Sequence, residues 1–219
     1  MNGDDGNEDR GSGLGQDSGL GLRERKKRQR HRVISDAAIA LFLAKGFDAV
    51  SVAEVAAAAG ISKPTLFRYF PAKEDLALHR FADHEDEAAR VVSGRPGGVR
   101  PLDALRRHFL AGLDRRDPVT GLNDDERVLA YHRLLYGTPS LVARLYAYQR
   151  RSEEALAGAL GGGIEGALGA GQIIAVQRIL ALENWRRIAA GETAAEVRPD
   201  AVAAAELAFG RLRDGLSLW

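Results

Sequence analysis

Lys63, Thr65, Phe67, Arg68, Tyr69 and Lys73 stand close together in a segment that opens with Ser62 and Pro64. Cations, hydroxyls and aromatic rings at this density suit an extended polyanion better than a small substrate. A lysine at the head of a short helix can reach guanine O6 or N7 in a major groove. Pro64 and Thr65 can lay a ring and a methyl against thymine methyls, or Thr65 can donate to a phosphate. Phe67 can rest on a sugar or a thymine methyl. Tyr69 and Lys73 would hold phosphates and fix register, and Arg68 would reach the backbone or face solvent. Upstream, Ser51 can offer its hydroxyl and nearby backbone N–H groups to another phosphate. Ser51, Ser62 and Pro64 would also start helices in a protein that never met DNA, and Leu66 and Phe70 read as core. The whole constellation, not one residue, points to a duplex.

Two short helices must position these groups. Ser51 with Glu54 three residues on is a capping-box pattern. Val52, Val55, Ala56 and Ala59 give that helix its apolar face, and Gly60 ends it. Ser62 caps the next helix, and Pro64 sits in the first turn, where a missing N–H costs nothing. A short helix, a tight turn and a second short helix place the second in a major groove while the first crosses the backbone. Before them, residues 23–45 read as a helix with Val33, Ile34, Ala37, Ala38, Leu41 and Phe42 on one face and Gly46 as its stop. After them, a long fourth helix is expected over 72–92, then a Gly/Pro break over 93–101. Further helices are expected over 102–113, 124–136, 139–160 and 164–190, and a last one from about Pro199. The fold class is all-α, with nine helices and no need for a strand.

Composition narrows the function. The 219 residues are 45% hydrophobic and 28% charged, enough for a real core, and no cysteine is present. Thiolate nucleophiles, disulfides and zinc–thiolate sites are therefore excluded. No apolar run reaches the length needed to span a bilayer, and the acidic, Gly-rich start does not read as a signal peptide. A net charge of +1 hides an asymmetry. Asp4, Asp5, Glu8, Asp9 and Asp17 face only Arg10 in residues 1–22, which read as disordered. Residues 23–32 (RERKKRQRHR) then supply a basic arm, including Arg25, Lys26 and Lys27, that can enter a minor groove or follow phosphates. The acidic segment is complementary to this arm. Deleting residues 1–22 is expected to tighten DNA binding at low salt, read by fluorescence anisotropy; unchanged affinity would show that the segment does not compete.

The order of these parts resembles the TetR family of bacterial transcriptional repressors. The resemblance rests on Ala37–Phe42 and Gly46, on Ser51, Val52, Val55, Ala56 and Gly60, and on the run from Ser62 through Phe70 to Lys73. It covers about residues 25–80 and implies DNA contacts at Lys63, Pro64, Thr65, Phe67, Tyr69 and Lys73. Position 67 is usually Tyr in that family, so Phe67 lacks one hydroxyl. The segment ERVLAYHRLLYGTPSLVARLYAYQRRSEEALA is also similar to the C-terminal domain of an actinobacterial subgroup that includes mycofactocin regulators. That second resemblance implies an acyl-CoA-like effector.

The domain plan is then an acidic tail over 1–22, a DNA-binding domain over 23–72 and a ligand-binding and dimerisation domain over 73–219. Ile173 and Leu180 on the eighth helix would meet Val202, Ala205, Phe209, Leu212 and Leu216 on the ninth, and two such pairs make a four-helix dimer interface. A homodimer would present two recognition helices about 34–36 Å apart or a multiple, hence a pseudo-palindromic operator. An effector pocket would draw on His108, Phe109, Tyr131, His132, Leu135, Tyr136, Leu145, Tyr146 and Gln177, although residue by residue these also read as core. No catalytic, metal or cofactor motif stands out. The expected protein is a cytoplasmic, nucleoid-associated repressor released from double-stranded DNA by a small apolar or amphipathic effector. The alternative is a ligand-independent regulator or an activator, whose C-terminal half serves dimerisation alone.

Overall fold

The computed structural model describes residues 21–215. The acidic segment over residues 1–20 and Leu216 lie outside that range. Ten α-helices occupy the described residues: α1 Leu22–Lys45, α2 Val52–Ala58, α3 Lys63–Tyr69, α4 Lys73–Ala82, α5 Glu87–Ser93, α6 Pro101–Asp114, α7 Glu126–Gly137, α8 Pro139–Ala159, α9 Gly163–Ala189 and α10 Ala194–Asp214. A single 3-10 turn, Pro118–Thr120, lies between α6 and α7.

The expected long fourth helix is two helices, α4 and α5, set apart by Asp83–Asp86. Asp83, Glu85, Asp86 and Glu87 crowd four carboxylates there, and like charges at helical spacing weaken a continuous helix. His84 donates to the Glu87 carboxylate at 2.6 Å, and Arg90 turns back to Asp86 at 3.0 Å, which closes the break. The last helix begins five residues earlier than Pro199, because Thr193 and Glu196 form a reciprocal capping box. Pro199 lies inside it. Val33 was expected on the buried face of α1 but is 49% exposed; Ile34, Ala38 and Phe42 carry that face.

Two hydrophobic clusters hold the chain. The first joins Ile34, Phe42, Val55, Leu66, Phe70 and Leu76 to Leu135, Leu141 and Leu145, so the core of α1–α4 runs without a break into α7 and α8. The second joins Val92, Leu105, Phe109, Leu156, Leu180 and Phe209 across α5, α6, α8, α9 and α10. Gly121 locks the 3-10 turn against α9. Its φ is +71°, and a Cβ there would stand 1.9 Å from the Ala181 carbonyl oxygen, so no side chain fits.

Candidate DNA-binding surface and effector cavity

The helix-turn-helix forms from local hydrogen bonds. The Glu54 amide donates to the Ser51 hydroxyl at 3.2 Å, and the Ser51 amide donates to the Glu54 carboxylate at 2.8 Å. Lys45 at the end of α1 donates to the same carboxylate at 3.0 Å. The Ser51 amide bond and the lysine together hold the Glu54 carboxyl down to about 2. The Thr65 amide donates to the Ser62 hydroxyl at 3.3 Å, and the Ser62 and Thr65 hydroxyls share a bond of 2.8 Å. Leu66 and Phe70 turn inward to the first core, as their spacing predicts.

What remains outward is the expected reading surface. Lys63, Pro64, Phe67 and Arg68 are exposed on α3, Phe67 at 43%, and the Lys63 ammonium lies 6.0 Å from the Phe67 ring centre. Ser51 is exposed at the head of α2, and Thr65 is half-buried. Tyr69 is also half-buried, edge-on to His31 at 4.9 Å. Arg25, Lys26 and Lys27 are exposed on the first turns of α1. With Arg30 they line a groove whose other wall is Ala59, Gly60 and Tyr69. The basic arm is thus helical here, and a helix of about 10–12 Å diameter is too wide for a minor groove of about 6 Å. Its cations are exposed along the groove beside Tyr69.

Lys73 makes a contact within the protein. Its ammonium donates to the Phe47 carbonyl at 2.6 Å and lies 4.3 Å from the Phe47 ring centre. The turn between α1 and α2 is therefore tied to the start of α4.

Helix α4 reaches both halves of the molecule. On the α1 side, Ser35 donates to the Leu76 carbonyl at 2.8 Å. On the α7 side, the Tyr131 hydroxyl donates to the Ala77 carbonyl at 2.8 Å. On the α8 side, Arg144 grips buried Asp75 with two bonds of 2.8 and 2.9 Å, and the Tyr148 hydroxyl adds a third at 3.2 Å. Just past α4, Glu85 accepts from Arg151, whose guanidinium lies 4.2 Å from the Tyr148 ring centre.

Beyond that frame lies a cavity of about 180 Å³ walled by α4, α5, α6, α7, α8 and α9. Of the expected lining residues, His108, Phe109, Tyr136, Leu145 and Gln177 face it. Four do not. Leu135 is spent on the first core, Tyr131 is buried with its hydroxyl on the Ala77 carbonyl, and His132 lies one turn behind Tyr136 on α7. Tyr146 is 60% exposed on the outer side of α8. Sequence reasoning missed Phe81, His84, Glu87, Tyr148 and Ser152, which line it. The spacing of His84 and Glu87, three apart at a helix start, was the available signal.

Glu87 is the polar centre of the cavity wall. It pairs with His84 at 2.6 Å and with His108 at 2.9 Å. Burial opposes its charge, but the bonds from His108 and His84 outweigh burial and hold the carboxyl well below its ordinary 4.5. The bond to Glu87 raises His84 above its ordinary 6.5. A raised histidine stabilises fully below its unfolded value and loses that contribution as pH rises through its folded value; a lowered carboxyl contributes above its unfolded value and fails only in strong acid. The melting-temperature advantage of the wild type over Glu87→Gln should therefore be largest near about pH 5–6 and shrink by about pH 8–9. A gap independent of pH over that range would show that the pair does not titrate as a unit.

The expected dimer residues are largely spent inside the protomer. Ile173, Leu180, Ala205 and Phe209 are buried in the second core, and Val202 and Leu212 are half-buried against it. Helices α9 and α10 are apolar on more than one face, so their seam-like spacing marks the inward side. The outward sides carry Ile164, Leu168, Ile179 (57% exposed) and Leu207 (58% exposed). A shallow groove between the two helices is floored by Val176, Ala204, Ala208 and Leu212.

Fold and surface together define an all-helical protein with an N-terminal helix-turn-helix DNA-binding domain and a C-terminal helical domain. Residues 34–79 match the family model described as bacterial regulatory proteins, tetR family. The chain is 36% identical over 138 residues to the HTH-type transcriptional regulator TcmR of Streptomyces glaucescens, covering 63% of this chain and 60% of TcmR. It is 41% identical over 78 residues to MftR of Mycobacterium tuberculosis, a provisionally assigned mycofactocin biosynthesis transcriptional regulator, covering 36% of this chain and 39% of MftR. The chain therefore spans less than two thirds of the length of either relative. Its fold is similar to that of a TetR-family regulator of Streptomyces coelicolor, with a TM-score of 0.53 at 22% identity over 83% of this chain and 96% of that one. Over residues 34–79 the chain is thus similar to the DNA-binding part of TetR-family regulators. Among the described residues no helix is long and apolar enough to cross a membrane.

Proposed function

We propose that the protein is a sequence-specific DNA-binding repressor, not an enzyme, that acts in the cytoplasm on the nucleoid as a homodimer. In this reading α3 enters the major groove, with Lys63 and Pro64 at base edges. Ser51, Thr65, Arg68, Tyr69 and the basic turns of α1 hold the phosphates on either side. Residues 23–72 form the reading unit, and residues 73–219 form the effector and dimerisation unit. The outward faces of α9 and α10, through Ile179 and Leu207, join the two copies. The observation that carries the regulatory part is the position of α4. It fixes α1 through Ser35, and its Phe81 walls the cavity. A ligand that fits the cavity better when α4 is displaced changes the spacing of the two α3 helices, and it does so only to the extent of its differential affinity for the two states.

The cavity suits a compact apolar or amphipathic effector. An acyl-CoA-like molecule, implied by the resemblance to mycofactocin regulators, would place only its acyl end inside about 180 Å³. The test of the DNA reading is Lys63→Ala. It should cost about 1–3 kcal/mol on the selected site and relax the base preference there, because a lysine at a guanine edge discriminates as well as attracts. Anisotropy against a panel of single-base variants reads this directly. A uniform loss across the panel, with a flatter salt dependence, would move Lys63 from the bases to the phosphates.

A further inference from the structure

Two buried nitrogens lie just behind the cavity wall without a partner: Nδ1 of His132 and Nε1 of Trp185. Buried polar groups are paired as a rule, and a lone donor costs its full desolvation. Their positions follow from helix geometry. His132 stands one turn before Tyr136 on α7, and Trp185 one turn after Ala181 on α9; Tyr136 and Ala181 both line the cavity. The Tyr136 ring, which lines the cavity, touches both, 4.5 Å from the Trp185 ring and 6.0 Å from the His132 ring. His132 is 95% buried, since only 5% of it is exposed. Burial alone pushes its imidazole down to about 4, so it is neutral in ordinary buffers.

We infer that Tyr136 is a door to a second compartment of the effector cavity, where Trp185 and His132 bind an uncharged hydrogen-bond acceptor, a carbonyl oxygen, of the ligand. This rests on the reading of the cavity as an effector site and specifies the chemistry of that ligand. Trp185 Nε1–H is a donor only, so it selects an acceptor. His132 is neutral and offers either a donor or an acceptor at Nδ1, according to its tautomer. Leu135 follows His132 by about one turn on α7 and Ile188 follows Trp185 by about one turn on α9; both are buried and apolar, which disfavours a charged group. A ring-bearing ketone, lactone or quinone meets these conditions: its rings lie among Phe81, Phe109 and Leu145, and its oxygen passes Tyr136. Polar groups elsewhere on the ligand would meet Glu87, His84 and His108 at the other end.

The probes are acetophenone and its hydrocarbon isostere α-methylstyrene, titrated into the full-length protein and followed by the indole N–H resonances, with Trp185 assigned through Trp185→Phe. Acetophenone should bind about tenfold tighter than α-methylstyrene, one net hydrogen bond's worth. It should shift the Trp185 indole proton downfield, while α-methylstyrene does not. Trp185→Phe, which keeps an aromatic ring but removes the N–H donor, should remove the preference for the ketone over the hydrocarbon. Equal affinities with an unmoved indole proton would overturn the inference while leaving the cavity an effector site. Failure of both probes to bind at saturation would overturn the inference together with the effector reading.

Discussion

Asp75→Ala is expected to destabilise the protein by about 3–5 kcal/mol, nearer the lower figure. Asp75 is 6% exposed and accepts from Arg144 twice, from the Tyr148 hydroxyl and from the Ala72 amide at the head of α4. Removing the carboxylate strands three donors at once. The guanidinium is 39% exposed and can turn to water, which moderates the loss. The Tyr148 hydroxyl lies deeper and cannot. Urea unfolding measures the effect, with Asp75→Asn as the milder control that keeps some acceptors. The consequence reaches function, because the same carboxylate clamps α4 to α8. The variant should also respond to effector with a smaller change in DNA affinity than the wild type. A loss below about 1 kcal/mol would mean that the pair behaves like an ordinary surface salt bridge.

Leu207→Asp is expected to convert the protein to monomer and to lower its affinity for a full operator by at least about a hundredfold. Leu207 and Ile179 are large, exposed and apolar on neighbouring helices. A carboxylate buried there without a counter-ion costs several kcal/mol in each copy, twice over across a two-fold axis. Sedimentation velocity reads the association state, and anisotropy on full and half sites reads the coupling. The variant should bind a half site as the wild type does, because Leu207 on α10 is remote from α3 in the chain and belongs to no core shared with it. A Leu207→Asp protein that stays dimeric would take this face out of the interface.

Local signals made the reading head legible. Ser51 with Glu54, Ser62 with Thr65, and Gly60 between them act over three or four residues, so one chain's sequence contains all their partners. The tie from Lys73 to the Phe47 carbonyl spans 26 residues, so local spacing did not show it. Tyr131 was expected in the cavity and instead donates to Ala77, 54 residues away. Periodicity showed that α9 and α10 each have an apolar stripe but not which of two apolar sides faces the protomer's own core. The inward choice, Ile173 and Phe209, fills space left by α6. The break at Asp83–Asp86 was hidden because hydrophobic spacing continues through it, while crowded charge ends the helix. Glu87 was not among the expected cavity residues. Its meaning appears only when His108, from the next helix, closes on it.

The most direct measurement selects binding sites for the full-length protein from a random duplex library at two salt concentrations. A dimeric repressor should select a pseudo-palindrome whose half-sites lie one helical turn or a multiple apart, with affinity falling steeply as salt rises. Sequence-indifferent, weak binding, or a selected site with no two-fold symmetry, would contradict it.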